Sequence, residues 1–394
     1  MNKKSSILII GLSLILVLAL FGCAKSTTVA PPTTAAPAPA AVSSAAPAPV
    51  QTTSAAPAPT TSAAPAPTSS AAPASTTAAA DNKVYNLILS DHNPEMAAPA
   101  VGHIAWSKYI EEKSGGRIKI KTYLGGALLG ENEVYRGVQT GVADIGVYVL
   151  NQQQGFKLNT IMQLPFMGWP ERQKAGAIYE QMLAEIPELK AEWQGVKVIG
   201  PCLMPGTGIH TVKKPVNTLA DLKGMSIATT GEMSQLITYL GASPNEIPIT
   251  DWTSSLQKGL IQGCHNHMPV LMIFGMMEFL HYHTMFGVSG INWSPVMLVM
   301  NQDKYNSLPA DLQKLIDESG PIYQQAFYAA DQATYDQAVA QANSMKHTFI
   351  NLTTDQIAPF QAAAKPIQDA WVKDNGASGS AIYNEALKLS AAAQ

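Results

Sequence analysis

Histidine pairs are the first place to look for chemistry in this chain. His265-x-His267 and His281-x-His283 place two imidazoles two residues apart, twice. On a strand such a pair shares one face and could ligate zinc; on a helix the two rings diverge. The apolar, Met-rich run of residues 267–281 reads as a helix, which would set the pairs at its opposite ends. Ordinary polar contacts are therefore the reading taken, with a surface metalloenzyme or hydrolase built on these histidines as the rival. No other catalytic arrangement is present: no G-x-S-x-G elbow, no Walker loop, no G-x-G-x-x-G after a strand and no H-E-x-x-H. Gly206-Thr207-Gly208 lacks the rest of any phosphate loop. The sequence implies no catalytic residue, no metal and no cofactor. Cys202 and Cys264 would be allowed to pair in an exported protein, but one possible pair makes no framework, and two buried free thiols is the simpler reading.

The elements that must position any site begin well into the chain. Residues 1–23 have a basic start (Lys3, Lys4) and an uninterrupted apolar run over 7–21, as a signal peptide does. Leu20-Phe21-Gly22-Cys23 resembles a bacterial lipobox, which implies cleavage before Cys23 and acylation of its thiol, with Phe21 bulkier than usual. The alternative, a spanning anchor, needs roughly 20 apolar residues. Two or three acyl chains would hold the protein stably on a membrane surface. Residues 24–82 are almost wholly Ala, Pro, Ser and Thr, with SAAPAP recurring at Ser44, Ser54 and Ser62. Such a segment cannot bury enough surface to offset its ordering entropy, so a disordered tether is expected, reaching at most roughly 170 Å at about 3.1 Å per residue.

Beyond the tether the composition is that of a globular α/β protein. Lys3, Lys4 and Lys25 are the only charges before Asp81, so 25 basic residues less those three leaves 22 against 28 acidic ones. That balance offers nucleic acid no footprint. Strands are expected over 84–90, 117–123, 145–150, 196–203, 285–289 and 296–300, and helices over 100–112, 131–140, 172–183, 309–319 and 323–346. A crossover between two lobes is expected near Pro205-Gly206.

The stretch 213–266 organises the rest. Thr218 caps a helical turn that Gly224 stops; a short strand follows, then a helix ended by Gly241 and Pro244, then another ended by Gly263. A parallel α/β unit of this kind places ligands beyond the carboxyl ends of its strands. The phrases KKPVNTLADLKG, LGASP, DWTSSLQKG and the G-x-x-N of residues 263–266, together with the earlier helix–GGR–strand passage, resemble the DctP-type solute-binding proteins of tripartite ATP-independent periplasmic (TRAP) transporters. The resemblance covers residue 84 to the C-terminus. It implies a two-lobed, type II periplasmic-binding-protein fold with a long helix spanning both lobes. Lobe one would be 83–205 plus 294–333 and lobe two 206–293 plus 334–394. It further implies a small organic solute as ligand and the small and large TRAP membrane subunits as partners.

Carried over residue by residue, the resemblance nominates ligand-binding positions, each with a structural alternative. His92 follows the first strand, but is also an ordinary loop histidine. Glu131 follows Leu129-Gly130 and otherwise caps a helix. Tyr148 ends a buried strand and otherwise belongs to the core. Trp169 and Trp293 are aromatic walls or packed side chains. Thr229 follows the central strand. Asn266 matches the asparagine that contacts the solute's acid group in the family. One departure is plain. Where relatives carry an arginine for the solute's carboxylate, GMSIATTG has Ala228, and a second arginine is replaced by Gly208. A buried carboxylate without a charge partner costs several kcal/mol. Either His92, His210, Thr229 or Thr230 compensates, or the solute is neutral, zwitterionic or aromatic rather than a typical organic acid. A sensing or adhesion derivative of the same scaffold is a further alternative.

Overall fold

The computed structural model describes residues 83–150, 155–231 and 233–393, all within a compact unit of residues 77–394. The expected signal peptide, the lipidated Cys23 and the tether lie outside the described residues.

Two sheets divide the strands. The first has the order β2-β1-β3-β10-β4, built from β1 (Tyr85–Ser90), β2 (Ile118–Tyr123), β3 (Ile145–Val149), β4 (Val196–Leu203) and β10 (Pro295–Asn301). Strand β1 runs parallel to β2 and β3, while β10 is antiparallel to β3 and β4. Every residue of β10 is buried, as a strand covered on both faces requires. Helix α1 (Ala98–Lys113) covers one face of this sheet. On the other lie α2 (Val134–Gln139), α3 (Arg172–Glu185) and α4 (Pro187–Ala191).

The second sheet has the order β11-β9-β5-β8-β6-β7. Its strands are β5 (Gly208–Thr211), β6 (Ser226–Ala228), β7 (Ser243–Asn245), β8 (Gly263–Asn266), β9 (Tyr282–Met285) and β11 (Thr348–Asn351). Short helices α5 (Leu219–Leu222), α6 (Met233–Tyr239), α7 (Trp252–Gln257) and α8 (Met268–Ile273) connect them. Thr218 and Asp221 form the capping box that starts α5, as the sequence suggests.

The chain passes between sheets along a narrow ribbon. Met204 N donates to Ser294 O (2.9 Å), and Ile291 N to Thr207 O (2.9 Å). Two glycines allow this approach. A Cβ on Gly206 would lie 2.4 Å from Ser289 O, and one on Gly290, whose φ is +61°, would lie 2.6 Å from the Gly206 carbonyl carbon.

After β10, α9 (Gln302–Asn306) and α10 (Ala310–Asp317) lead into α11 (Gly320–Ser344), the long helix. Its first half buries Tyr323 and Phe327 in the core of the first sheet; its second half buries Ala338 and Ala342 in that of the second. One rigid helix thus joins two cores, as the fold implied by the resemblance requires.

Several elements depart from expectation. Residues 267–281 are not one helix: α8 ends at Ile273, Gly275 turns left-handed at φ +68°, and β9 begins at Tyr282, ahead of the strand expected at 285–289. Helix α2 starts at Val134 rather than 131. The sequence reading predicts none of strands β5, β7, β8 and β11, nor helices α12 (Thr354–Asp374) and α13 (Gly376–Ala392). The C-terminal helices pack against both cores. Helix α12 places Phe360 and Ala364 in the second core and Trp371 in the first. Helix α13 packs Ile382 and Ala386 into the first core, against α3. Apolar faces at both ends of this hairpin are what draw it across the boundary.

Candidate functional site

The carboxyl ends of strands from both sheets and the ribbon between them carry an unusual set of polar atoms. Strand β1 ends in Ser90, which is fully buried, and its Oγ has no hydrogen-bond partner among the described residues. Asp91 follows, also buried, accepting from Asn93 N at 2.9 Å and lying 3.0 Å from His103 Nε2. His92 Nδ1 lies 3.9 Å from Asp91 Oδ1, too far for a hydrogen bond, and has no partner among the described residues. On the second sheet, Thr229 leaves β6 with its backbone N bonded to Asn245 O (3.2 Å) and its buried Oγ1 unpartnered. Asn266 closes β8; its side-chain oxygen accepts from His267 N at 2.8 Å and its carbonyl lies 3.0 Å from His210 Nε2.

His267 Nδ1 and the indole N–H groups of Trp169 and Trp293 also lack partners among the described residues. A buried, unsatisfied polar group costs about 1–3 kcal/mol. Ser90, His92, Thr229 and His267 stand at or just beyond strand ends, and Trp293 lies in the second passage between the sheets.

The structure sorts the predicted residues. Tyr148, Trp169 and Trp293 join one apolar cluster. Within it Tyr148 sits in an aromatic nest, its ring 5.2 Å from Tyr135 and 5.5 Å from Phe156, which is the packing of a core side chain. Thr229 and Asn266 stand at the ends of adjacent strands. Glu131 lies on an exposed turn before α2, and Glu133 rather than Glu131 ties that turn, accepting from Gly130 N at 3.0 Å. Ala228 is fully buried and belongs to the apolar cluster of Trp252, Leu256, Cys264 and Leu271.

Two cavities adjoin this region. One, of about 610 Å³, lies between Lys157, Gln163 and Pro165 on one side, Gly231 and Ser234 beyond β6 on another, and Trp371 of α12. Gln163 Oε1 and Ser234 Oγ are unpartnered there among the described residues. The other, of about 330 Å³, is lined by Arg172, Gly206, Gly290, Trp293 and Tyr335. Both fall within the range usual for small-molecule sites. Of the predicted residues only Trp293 lines either one.

Arg172 was missed by the sequence reading. The chain has three arginines, at 117, 136 and 172. Arg172, at the start of α3, is nearly buried, ion-paired with Asp331 of α11 and stacked over the Tyr328 ring at 5.2 Å. Burial raises the Asp331 carboxyl above its ordinary value, opposed by Arg172. His267 is pushed down to about 3 by burial first and by Arg172 next, and burial lowers His265 to about 4. These imidazoles are neutral at physiological pH.

The histidine pairs do not form a metal site: among the described residues no group of three or more His, Cys, Asp or Glu side chains is arranged to hold an ion. His265 lies on β8 with its Nε2 2.8 Å from Thr207 Oγ1, and His283 lies on β9 beside His210. Cys202 and Cys264 are buried free thiols in different sheets. Among the described residues no helix is long and apolar enough to cross a membrane.

Comparisons with known proteins place this architecture. The 2,3-diketo-L-gulonate-binding periplasmic protein of Escherichia coli (strain K12) is 22% identical over 283 residues, which is 69% of this chain and 83% of that protein. Two solved structures superpose with a TM-score of 0.70 at 25% identity. One is a TRAP periplasmic solute-binding protein from Desulfovibrio salexigens DSM2638, covering 77% of this chain and 95% of that one. The other is a marine metagenome TRAP solute-binding protein specific for aromatic acid ligands, in complex with metahydroxyphenylacetate, covering 79% and 99%. Residues 99–374 match the family described as bacterial extracellular solute-binding protein, family 7 (DctP). With that match over most of its globular part, and with the two-lobed fold of the TRAP receptors, this chain belongs to the DctP family of solute-binding proteins.

Proposed function

We propose that the protein captures one small organic solute between its lobes and presents the closed complex to TRAP small and large membrane subunits. The lipid on Cys23 and the tether would keep it within reach of them. The supporting observation is the set of buried, unpartnered polar atoms contributed by both sheets: Ser90 and His92 from the first, Thr229 and His267 from the second, and Trp293 at the crossover. Closure of two walls on a ligand needs donors on each. No bond is made or broken in this reading, and selectivity is the difference in free energy between open and closed states with each solute.

Packing supports the following division into lobes. Lobe one takes 83–205, 294–333 and α13; lobe two takes 206–293, the rest of α11 and β11; α12 spans both. An aromatic or otherwise planar solute fits best, because Trp293 lines a cavity and its indole N–H has no partner among the described residues. The aromatic acid bound by the metagenome relative points the same way. With no arginine at Ala228, Asn266, Thr229 and His92 would meet the polar end.

A thermal-shift screen of acids, polyols, amino acids and aromatics tests this. A solute at a hundred times its dissociation constant adds roughly 2.7 kcal/mol, a rise of a few degrees. Aromatic solutes should give the largest saturable rise. A rise confined to polyols would overturn the solute class, and none with any solute would overturn the receptor reading.

A further inference from the structure

Residues 164–169 dip from one core into the other and return. Leu164, Met167 and Trp169 are buried in the core of the first sheet. Phe166 lies between them, yet its ring packs against the core of the second, 5.8 Å from the Phe286 ring at 63°. Phe286 in turn meets the fully buried Phe360 of α12, 5.1 Å away at 77°. Edge-on pairs of this kind are a favoured aromatic arrangement. The backbone beneath the ring is in a conformation that phenylalanine rarely adopts. Phe166 has φ +55°, in the left-handed region where a bulky side chain is strained and glycine is not. Glycine would relieve the strain and lose the ring, so the ring's place in the second core accounts for the residue.

The flanking backbone is tied to the C-terminal helices. Gln368 Nε2 of α12 donates to Pro165 O at 2.7 Å, and Ser390 Oγ of α13 donates to Gly168 O at 2.6 Å. Phe166 itself joins the ribbon between the sheets. Its N–H donates to Ile291 O at 2.7 Å, while Ile291 N donates to Thr207 O at 2.9 Å. Three chain segments therefore lie side by side at the crossing, in the order 166, 291, 207. Thr207 Oγ1 extends the contact into the second sheet, donating to Asn292 Oδ1 at 2.5 Å and lying 2.8 Å from His265 Nε2 on β8.

We propose that Phe166 is a bolt across the hinge: seated in the second core, its ring sets the resting separation of the two lobes and must withdraw before that separation changes. The reason is geometric. The neighbours of Phe166 are fixed in one core and its ring in the other, and no residue keeps both attachments while one body turns against the other. A ribbon of two segments with few hydrogen bonds twists easily, whereas a third segment anchored at both ends resists. Withdrawal also frees the backbone from its left-handed strain, which favours release once a solute draws the lobes together. The proposal takes from the receptor reading only that the lobes move. It makes Phe166 a positioning residue for the ribbon that carries Trp293, two residues beyond Ile291.

Pulsed electron paramagnetic resonance on the full chain tests this without any solute, so the bolt and the receptor reading can fail separately. Spin labels go on the exposed positions Lys108→Cys of α1 and Lys258→Cys beyond α7, with Cys23→Ser. With Phe166 in place, a single narrow distance distribution is expected. Phe166→Ala and Phe166→Gly both remove the ring, and each should broaden that distribution or add a second distance. The same distribution in both variants as with Phe166 in place would overturn the bolt. Should neither variant fold, amide hydrogen exchange in the unmodified chain decides the matter. The N–H of Phe166 should then be as protected as that of Ile291, and fast exchange at Phe166 beside a protected Ile291 would overturn the proposal.

Discussion

At the scale of single residues, the proposed site rests on buried groups that have no partner among the described residues. Asn266 is the most exacting case: its side-chain oxygen already serves His267 N, so in the proposed receptor its amide nitrogen would meet the solute. Asn266→Ala should weaken solute binding by roughly tenfold or more, as loss of one buried hydrogen bond worth about 1.5 kcal/mol would. Circular dichroism should be unchanged, and calorimetric titration with a solute from the screen checks the affinity.

The buried histidines make a second prediction. His210, His265, His267 and His283 are all held below their ordinary value by burial, so the unfolded chain binds more protons than the folded one once pH falls below about 6.5. Their contribution to stability is fully present above that pH and is lost as pH falls toward the folded values. Each removes about 1.4 kcal/mol per pH unit within that window. Urea midpoints measured from pH 7.5 to 5 should therefore fall steeply, and a flat profile would contradict the burial of neutral imidazoles. Arg172 shows what sequence reading misses at this scale: its partner Asp331 is 159 residues away, and nothing local announces the pair.

At the scale of elements, periodicity made the first sheet legible and glycine or proline made parts of the second illegible. Strand β4 matches its expected bounds of 196–203 because its apolar run is long and bounded. The run 267–281 is mostly apolar, yet Gly275 breaks it, and nothing in composition says whether such a glycine bends a helix or ends it. Strand β5 opens on a glycine and is only four residues long, so it reads as turn. Helix α12 contains Pro359 and Pro366, which argue locally against a helix, but its capped start at Thr353 and its two apolar ends override them.

The ribbon between sheets belongs to this scale as well. Gly290→Ala places a Cβ into the Gly206 backbone at a left-handed φ, so it should cost more than about 1 kcal/mol and lower the melting temperature. Gly141→Ala, also left-handed but with no atom within 4 Å of its Cβ, carries only the backbone strain and should cost less. Differential scanning calorimetry of the two variants separates close approach from strain.

At the scale of the whole molecule, the account is of two cores that share one long helix and one narrow ribbon, with the ligand surface where they face each other. The overall class was legible because the order of short phrases along the chain is a stronger signal than any one of them. The depth of these positions was not, because the burial of Ser90, Thr229 and Trp293 comes from tertiary packing and leaves no mark in local sequence.

Movement of one lobe against the other is the central claim, and a distance measures it directly. Lys108 on α1 and Lys258 beyond α7 are exposed and belong to different lobes, while Cys202 and Cys264 are buried and would escape labelling. Spin labels at Lys108→Cys and Lys258→Cys, in a chain with Cys23→Ser, report the separation by pulsed electron paramagnetic resonance. A solute that raises the melting temperature should shift the distribution to a single shorter distance. The same distribution with and without bound solute would contradict closure of the lobes on their ligand.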